Sequence, residues 1–292
     1  MSKQRLFITG YFILAILLQV IAGNIPLSYF AFPLNVIFAA IWLFLLWKLY
    51  IESQKSSITT FLISSKTSIL CIILIIIGSL VIGLFPQLSD IEAQLRTDIP
   101  ALLGCYNFMT SWIFIAILFL FLSNLGLVII HAFYHRIQSK RRFLLNHIGL
   151  WLALFAGFVG SADMQTLRIP LYTGTPAREA YDMSGVAYYL DYELELKKFE
   201  VEYYPNGIPS RFTANVRIED EQRILEVNHP YSYRLGEDIY LTGYDVQNTA
   251  NSRYCVLQVV RQPWKYIIVA GILMMLAGAF LLFINGSKHI RS

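Results

Sequence analysis

Six apolar runs, each close to membrane-spanning length, constrain this chain more than any other feature. They lie at Leu6–Gly23, Tyr29–Tyr50, Ser68–Phe85, Ser111–Phe133, Phe143–Ser161 and Trp264–Ile284. A helix needs about 20 apolar residues to cross the hydrocarbon core, so each run reads as one span. Between the fifth and sixth lies a polar block of strand-like sequence, residues 162–263. The composition agrees: 56% of the 292 residues are hydrophobic and only 14% are charged. That balance belongs to a membrane α-helical protein, here six transmembrane helices with a small β-rich extracytoplasmic domain between helices five and six. The domain boundaries follow as a five-helix region over 1–161, the β-rich domain over 162–263, and a sixth helix with a tail over 264–292.

Orientation follows from the basic residues. Lys3 and Arg5 precede the first run, Lys48, Lys55 and Lys66 bracket the second loop, Arg136, Lys140, Arg141 and Arg142 fill the fourth, and Lys288 and Arg291 end the chain. If every run spans, all four groups share one side, which the positive-inside rule makes cytoplasmic. Both termini are then cytoplasmic and the polar block faces out. Trp42 and Trp47 at one level and Trp112, Trp264 and Tyr266 at the other fit interfacial belts. The first run also has the grammar of a cleaved secretory signal, an alternative that leaves the remaining topology unchanged. The net charge of +4 is small and concentrated in these loops, which makes it an orientation signal and excludes a nucleic-acid partner.

Within the polar block, strands are expected at Val186–Leu196, Phe199–Tyr204, Arg211–Ile218, Arg223–Val227, Asp238–Leu241 and Tyr254–Val260, where β-branched and aromatic residues alternate or run together. Tyr204-Pro205-Asn206-Gly207 and Glu219-Asp220-Glu221 supply tight turns, and Asn228-His229-Pro230 opens a longer connection. The expected fold is a small antiparallel sandwich or curled sheet. The alternating acids Glu193, Glu195, Glu200 and Glu202 read as its solvated face.

The chain contains no GxSxG elbow, HExxH motif, phosphate-cradling glycine loop or paired-cysteine zinc pattern, which argues against a self-contained hydrolase or nucleotide enzyme. Cys71, Cys105 and Cys255 form no CxxC, so there is no dithiol shuttle and no c-type haem attachment motif. Cys105 and Cys255 both fall on the outer side, where a disulfide is permitted; two unpaired, small apolar residues are the plainer expectation.

Histidines carry the remaining chemistry. His147 sits about one turn into the fifth run, where an ionisable side chain is a functional candidate because an unsatisfied polar group in lipid is costly. It shares a helical face with Trp151, and Gly149, Gly157 and Gly160 thin the helix for a partner helix or a flat ring. An imidazole in that setting suits axial ligation of haem iron; close helix packing is the alternative reading of the glycines. His131 and His135, four apart near the end of the fourth run, share a face and could bind a metal or clamp a haem, but no third ligand is evident nearby, and they read as part of a basic rim. A two-haem electron carrier needs histidines at both levels of the membrane, whereas these three fall at one level. His289 lies in a polar tail.

His229 stands in Val227-Asn228-His229-Pro230-Tyr231, followed by Gly236-Glu237-Asp238-Ile239-Tyr240-Leu241 and Tyr244-Asp245. This order resembles the ResB (CcsB-like) family of the system II cytochrome c biogenesis machinery, in which a VNHP turn leads to a tyrosine-rich strand end. The Phe143–Gly160 span with His147, and the exit Val260-Arg261-Gln262-Pro263-Trp264 into Gly271–Gly278, resemble the same family on either side of that motif. The resemblance implies an auxiliary subunit of a holocytochrome c synthase in the bacterial cytoplasmic membrane. It would bind haem b through His147 as metal ligand and help to move it outward for attachment to apocytochrome c. It also implies a ResC/CcsA-type partner carrying a tryptophan-rich loop, because Trp42, Trp47, Trp112, Trp151 and Trp264 are scattered and form no such signature here. Typical family members have three spans before a much larger external domain; this chain has five before a short one. Without the family, the same layout reads as a membrane-anchored scaffold whose external sheet binds a partner.

Overall fold

The computed structural model describes residues 3–135, 140–245 and 252–286. Arg136 of the basic loop, and Lys288, His289 and Arg291, lie outside the described residues. The chain divides into two compact units, Met1–Ala162 with Ile267–Ser292, and Asp163–Tyr266.

The first unit contains six helices long and apolar enough to cross a membrane: α1 (Lys3–Ala22), α2 (Leu34–Ser53), α4 (Ser65–Leu84), α7 (Trp112–Tyr134), α8 (Lys140–Ala162) and α9, whose spanning part is Lys265–Ile284. Short helices α3 (Ser57–Ile63), α5 (Asp90–Gln94) and α6 (Ile99–Leu102) fill the connections. Sequence hydropathy does not reveal them, since seven residues or fewer carry too little apolar periodicity.

Helix α7 is the hub, packing against α1, α2, α3, α4 and α8. Its first turn leaves orphan N–H groups that need partners. Ser111 Oγ accepts from Phe114 N at 3.1 Å, and Gln19 Oε1 of α1 accepts from Trp112 N at 2.9 Å. Midway along α7 the fully buried Asn124 donates to the Leu62 carbonyl (2.5 Å) and accepts from Ser68 Oγ (2.9 Å). Its amide thereby ties α7 to the break between α3 and α4, where Ser64 ends one helix and caps the next. An amide buried in an apolar bundle is tolerated because both its ends are satisfied.

Helices α8 and α9 approach through small residues. A methyl group on Gly149 would lie 2.6 Å from the Gly271 carbonyl oxygen, and one on Gly278 would overlap the Asn146 amide. On α9 the less exposed positions Ile268, Gly271, Met274, Met275, Gly278 and Leu281 recur at helical spacing and form the face turned to α8.

The second unit is a single eight-stranded antiparallel sheet: β1 (Gln165–Tyr172), β2 (Pro176–Tyr181), β3 (Ala187–Tyr203), β4 (Pro209–Ile218), β5 (Glu221–Glu226), β6 (Tyr231–Arg234), β7 (Glu237–Tyr244) and β8 (Tyr254–Arg261). The strand order is β5-β4-β3-β2-β1-β8-β7-β6. Register aligns the buried side chains in rows across strands: Leu167–Val259–Ile239 and Ile169–Leu257–Leu241 on one half, Leu194–Ile218 and Leu196–Val216 on the other. The sheet curls on itself. Tyr192 of β3 packs on Tyr233 of β6 with ring centroids 4.4 Å apart, and Arg234 of β6 pairs with Asp191 of β3. Curling encloses one apolar core and brings the two edge strands together at a short turn, which limits exposed edge.

The two strands expected at Val186–Leu196 and Phe199–Tyr204 are one continuous strand. Inward residues fall at even numbers through Leu196 and at odd numbers from Phe199, and the register slips at Leu196/Lys198. A β-bulge adds one residue and restores the face, so the alternation breaks while the strand continues. Strands β1, β2 and β6 were not expected. Pro170 inside β1 argues against a strand, yet β1 pairs with β8 along its full length and has only one register pair with β2.

Candidate functional site

His147 lies seven residues into α8, about 10 Å along its axis at 1.5 Å per residue. Its ring is half-buried and stacks on Phe143 one turn earlier, with centroids 3.8 Å apart and planes at 21°. Nδ1 is 2.9 Å from the Phe143 carbonyl oxygen. A carbonyl only accepts, so Nδ1 carries the proton, and in the tautomer this selects the lone pair is on Nε2. Among the described residues, no hydrogen bond engages Nε2. This is the arrangement in which ligating histidines are usually found, one nitrogen held by a carbonyl and the other free for metal.

The neighbours differ from those suggested by helical spacing. Trp151, expected to flank the imidazole, is buried: its Nε1 donates to the Leu122 carbonyl of α7 at 3.1 Å, and its ring stacks on Phe155 at 4.9 Å. Phe143, on the same face as His147, is the aromatic group that covers it; its i−4 spacing was available in the sequence. Gly149 meets α9, which favours the packing reading at that position, whereas a methyl on Gly157 would touch nothing within 4 Å. Farther along α8, Phe155 and Phe158 join Phe30, Phe38, Trp42 and Phe119 around an apolar recess of about 400 Å³ that does not include His147.

His131 and His135 form a separate cluster. Tyr50 of α2, 1% exposed, places its hydroxyl 3.1 Å from His131 Nδ1 and 3.1 Å from His135 Nε2. Among the described residues, no hydrogen bond or ring contact joins this cluster to His147. Among the same residues, no group of three His, Cys, Asp or Glu side chains is placed to hold a metal ion.

In the second unit, His229 closes a tight turn between β5 and β6. Its N–H donates to the Glu226 carbonyl at 3.1 Å, while Asn228 adopts the left-handed conformation with φ 67°. The backbone, and not the imidazole, makes the turn. Tyr244, at the end of the tyrosine-rich segment, stacks on Phe212 at 4.7 Å and Phe199 at 5.4 Å and so closes one end of the core. Beside that core a polar chain runs across four strands: Tyr192 Oη donates to Glu237, Arg261 Nε donates to the same carboxylate at 2.7 Å, and Arg261 Nη1 reaches Gln165. Burial first, and then the Glu237 hydrogen bond, push the Tyr192 hydroxyl above its ordinary range. All three cysteines are free and buried.

Fold and site define a multi-pass helical protein of membrane type carrying a separate antiparallel β domain. Residues 139–252 match the model of the ResB-like family, so this stretch, from the start of α8 through β7, is ResB-like. The match supports a role in cytochrome c biogenesis and stops short of β8 and α9. No curated protein matches the chain. Among solved structures the chain is similar to a protein described as "Cytochrome c Heme Lyase CcmF", at 11% identity and a TM-score of 0.36, over 70% of this chain and 33% of that one. The chain thus spans about a third of that protein's length.

Proposed function

We propose that the chain is a ResB-like subunit for cytochrome c maturation that takes haem b as cargo, with His147 Nε2 as one axial ligand. The observation that carries this reading is the pairing of two facts: the ResB-like match opens on α8, and the imidazole of α8 holds its Nδ1 proton on a backbone carbonyl. Haem iron brought to Nε2 would need no change of tautomer. Phe143 restricts rotation of the ring, and the β domain that follows α8 in the chain supplies a surface for apocytochrome c.

Lys3, Arg5, Lys48, Lys55, Lys66, Lys140, Arg141 and Arg142 support an orientation in the bacterial cytoplasmic membrane with both termini cytoplasmic and residues 162–263 outside. His147, near the basic start of α8, then lies where haem arriving from the cytoplasm enters the bilayer. The second axial ligand and the thioether-forming step belong to a ResC/CcsA-type tryptophan-rich partner, which makes this chain auxiliary and not itself the catalyst.

The test is cytochrome c maturation in cells that depend on this chain and its partner. Replacing His147 with Ala should abolish covalently haem-stained cytochrome c, while Gly157→Ala, at a position with free space, should preserve it. Full maturation in the His147→Ala cells would remove the ligand role.

A further inference from the structure

We propose that Tyr50, His131 and His135 form a binding site for a divalent transition-metal ion of the copper or zinc class. The site does not depend on the haem reading, and it lies on α2 and α7, not on the helix that bears His147. Two imidazole nitrogens of α7 both face one hydroxyl, that of Tyr50, from a helix about 80 residues earlier in the chain. The Tyr50 hydroxyl is 3.1 Å from His131 Nδ1 and 3.1 Å from His135 Nε2, and the two imidazole centroids are 4.2 Å apart. With metal–donor bonds of about 2.05 Å, a donor separation of 3.1 Å corresponds to a ligand angle of about 98°, between the square-planar and tetrahedral values. The present spacing of the oxygen and each nitrogen is therefore also the spacing of neighbouring ligands around one ion.

Burial and access both favour occupancy. Tyr50 is almost wholly enclosed and its position is fixed by packing, while His135 at the end of α7 is exposed. The cluster opens on a recess of about 340 Å³ lined also by Gln54, Thr60 and Ser64, polar groups able to hold the remaining water ligands. Two imidazoles and a phenol oxygen suit copper or zinc; magnesium and calcium call for carboxylates and carbonyls. A hydroxyl has one proton, so of the two nitrogens facing Tyr50 one accepts from it and the other donates to it. On binding, the donating histidine moves its proton to its other ring nitrogen, both facing lone pairs turn to the metal, and the phenol proton is released to solvent. One proton leaves per ion bound, and no electron is transferred.

The experiment uses the full chain, purified in detergent with a tag that contains no histidine and titrated with Cu²⁺ and Zn²⁺ salts against a competing chelator. One ion per chain is expected, with a phenolate-to-copper charge-transfer band and nitrogen hyperfine splitting in the Cu²⁺ spectrum. His135→Ala, at an exposed position, should weaken binding at least on the order of 100-fold, since even outer partners of ligands are worth roughly 10–100-fold. Tyr50→Phe should remove the charge-transfer band, and His147→Ala should leave binding and spectrum intact. No stoichiometric binding, or binding indifferent to both His135→Ala and Tyr50→Phe, would overturn the proposal. Loss on His147→Ala alone would move the ion to the helix α8 site and overturn it equally.

Discussion

Gly149→Ala is the most direct probe of how α8, the helix bearing His147, is held. The added methyl would lie 2.6 Å from the Gly271 carbonyl oxygen and 3.0 Å from both Met274 Cβ and Met275 Cγ. The methionine Cγ can rotate away, but a backbone carbonyl cannot. Restoring an ordinary contact of about 3.4 Å requires α9 to withdraw by roughly 0.8 Å at this level, and overpacking of that kind costs about 1–3 kcal/mol. Gly271→Ala creates the reciprocal conflict, 2.7 Å from the Gly149 carbonyl oxygen and 2.9 Å from Ala153 N. Once the helices have parted for one methyl, the second meets less resistance, so the double variant should lose clearly less than the sum of the singles. The assay is thermal unfolding of the full chain in detergent, with Gly157→Ala as the control in open space. Additive losses would refute a shared contact, and a Gly157→Ala variant less stable than Gly149→Ala would refute the packing itself.

Two further outcomes concern the β domain. Burial pushes the Cys255 thiol up to about 12, so iodoacetamide at neutral pH should modify Cys255 only when the domain is unfolded; rapid labelling in the native state would contradict its place in the core. Hydrogen bonds from Lys197 and then Arg217 hold the Glu195 carboxyl below the usual carboxylate range, and at Asp238 hydrogen bonds from Lys265 and Ser232 outweigh the upward push of burial. A carboxyl depressed in the folded state stabilises above its unfolded pKa of about 4 and loses that contribution as pH falls through the folded value. The domain should therefore hold its stability from neutral pH down to about 4 and lose it below, and Glu195→Gln should flatten that decline. An unchanged acid profile in the variant would show that the pairing does not contribute.

Much of the fold could be read from sequence because membrane spans and core strands obey strong local rules. An apolar stretch of about 20 residues has few other uses, and strands such as Arg211–Ile218 announce themselves by alternation. What escaped was set by tertiary context. Strand β3 read as two because the bulge at Lys197-Lys198 shifts the phase of its inward side chains. Strand β1 was hidden by Pro170, which is accommodated where pairing to β2 is thin.

The candidate site divides in the same way. His147 could be picked out by its place in an apolar run, but not the Phe143 carbonyl that fixes its tautomer or the burial of Trp151 against Leu122 and Phe155. Tyr50 could not be joined to His131 and His135, because nothing in a single sequence reports that α2 and α7 meet there. The expected basic rim was a statement about charge along one helix; the structure instead places a phenol from another helix between the two imidazoles.

The central claim is that His147 Nε2 receives haem iron. Its most direct test is the absorption spectrum of the full chain purified with its tryptophan-rich partner. The account predicts a Soret band with the wild-type chain. In the His147→Ala protein the band should be lost or much reduced, and imidazole added to the medium should restore it by supplying the missing nitrogen. A Soret band unchanged in position and intensity in His147→Ala would contradict the account.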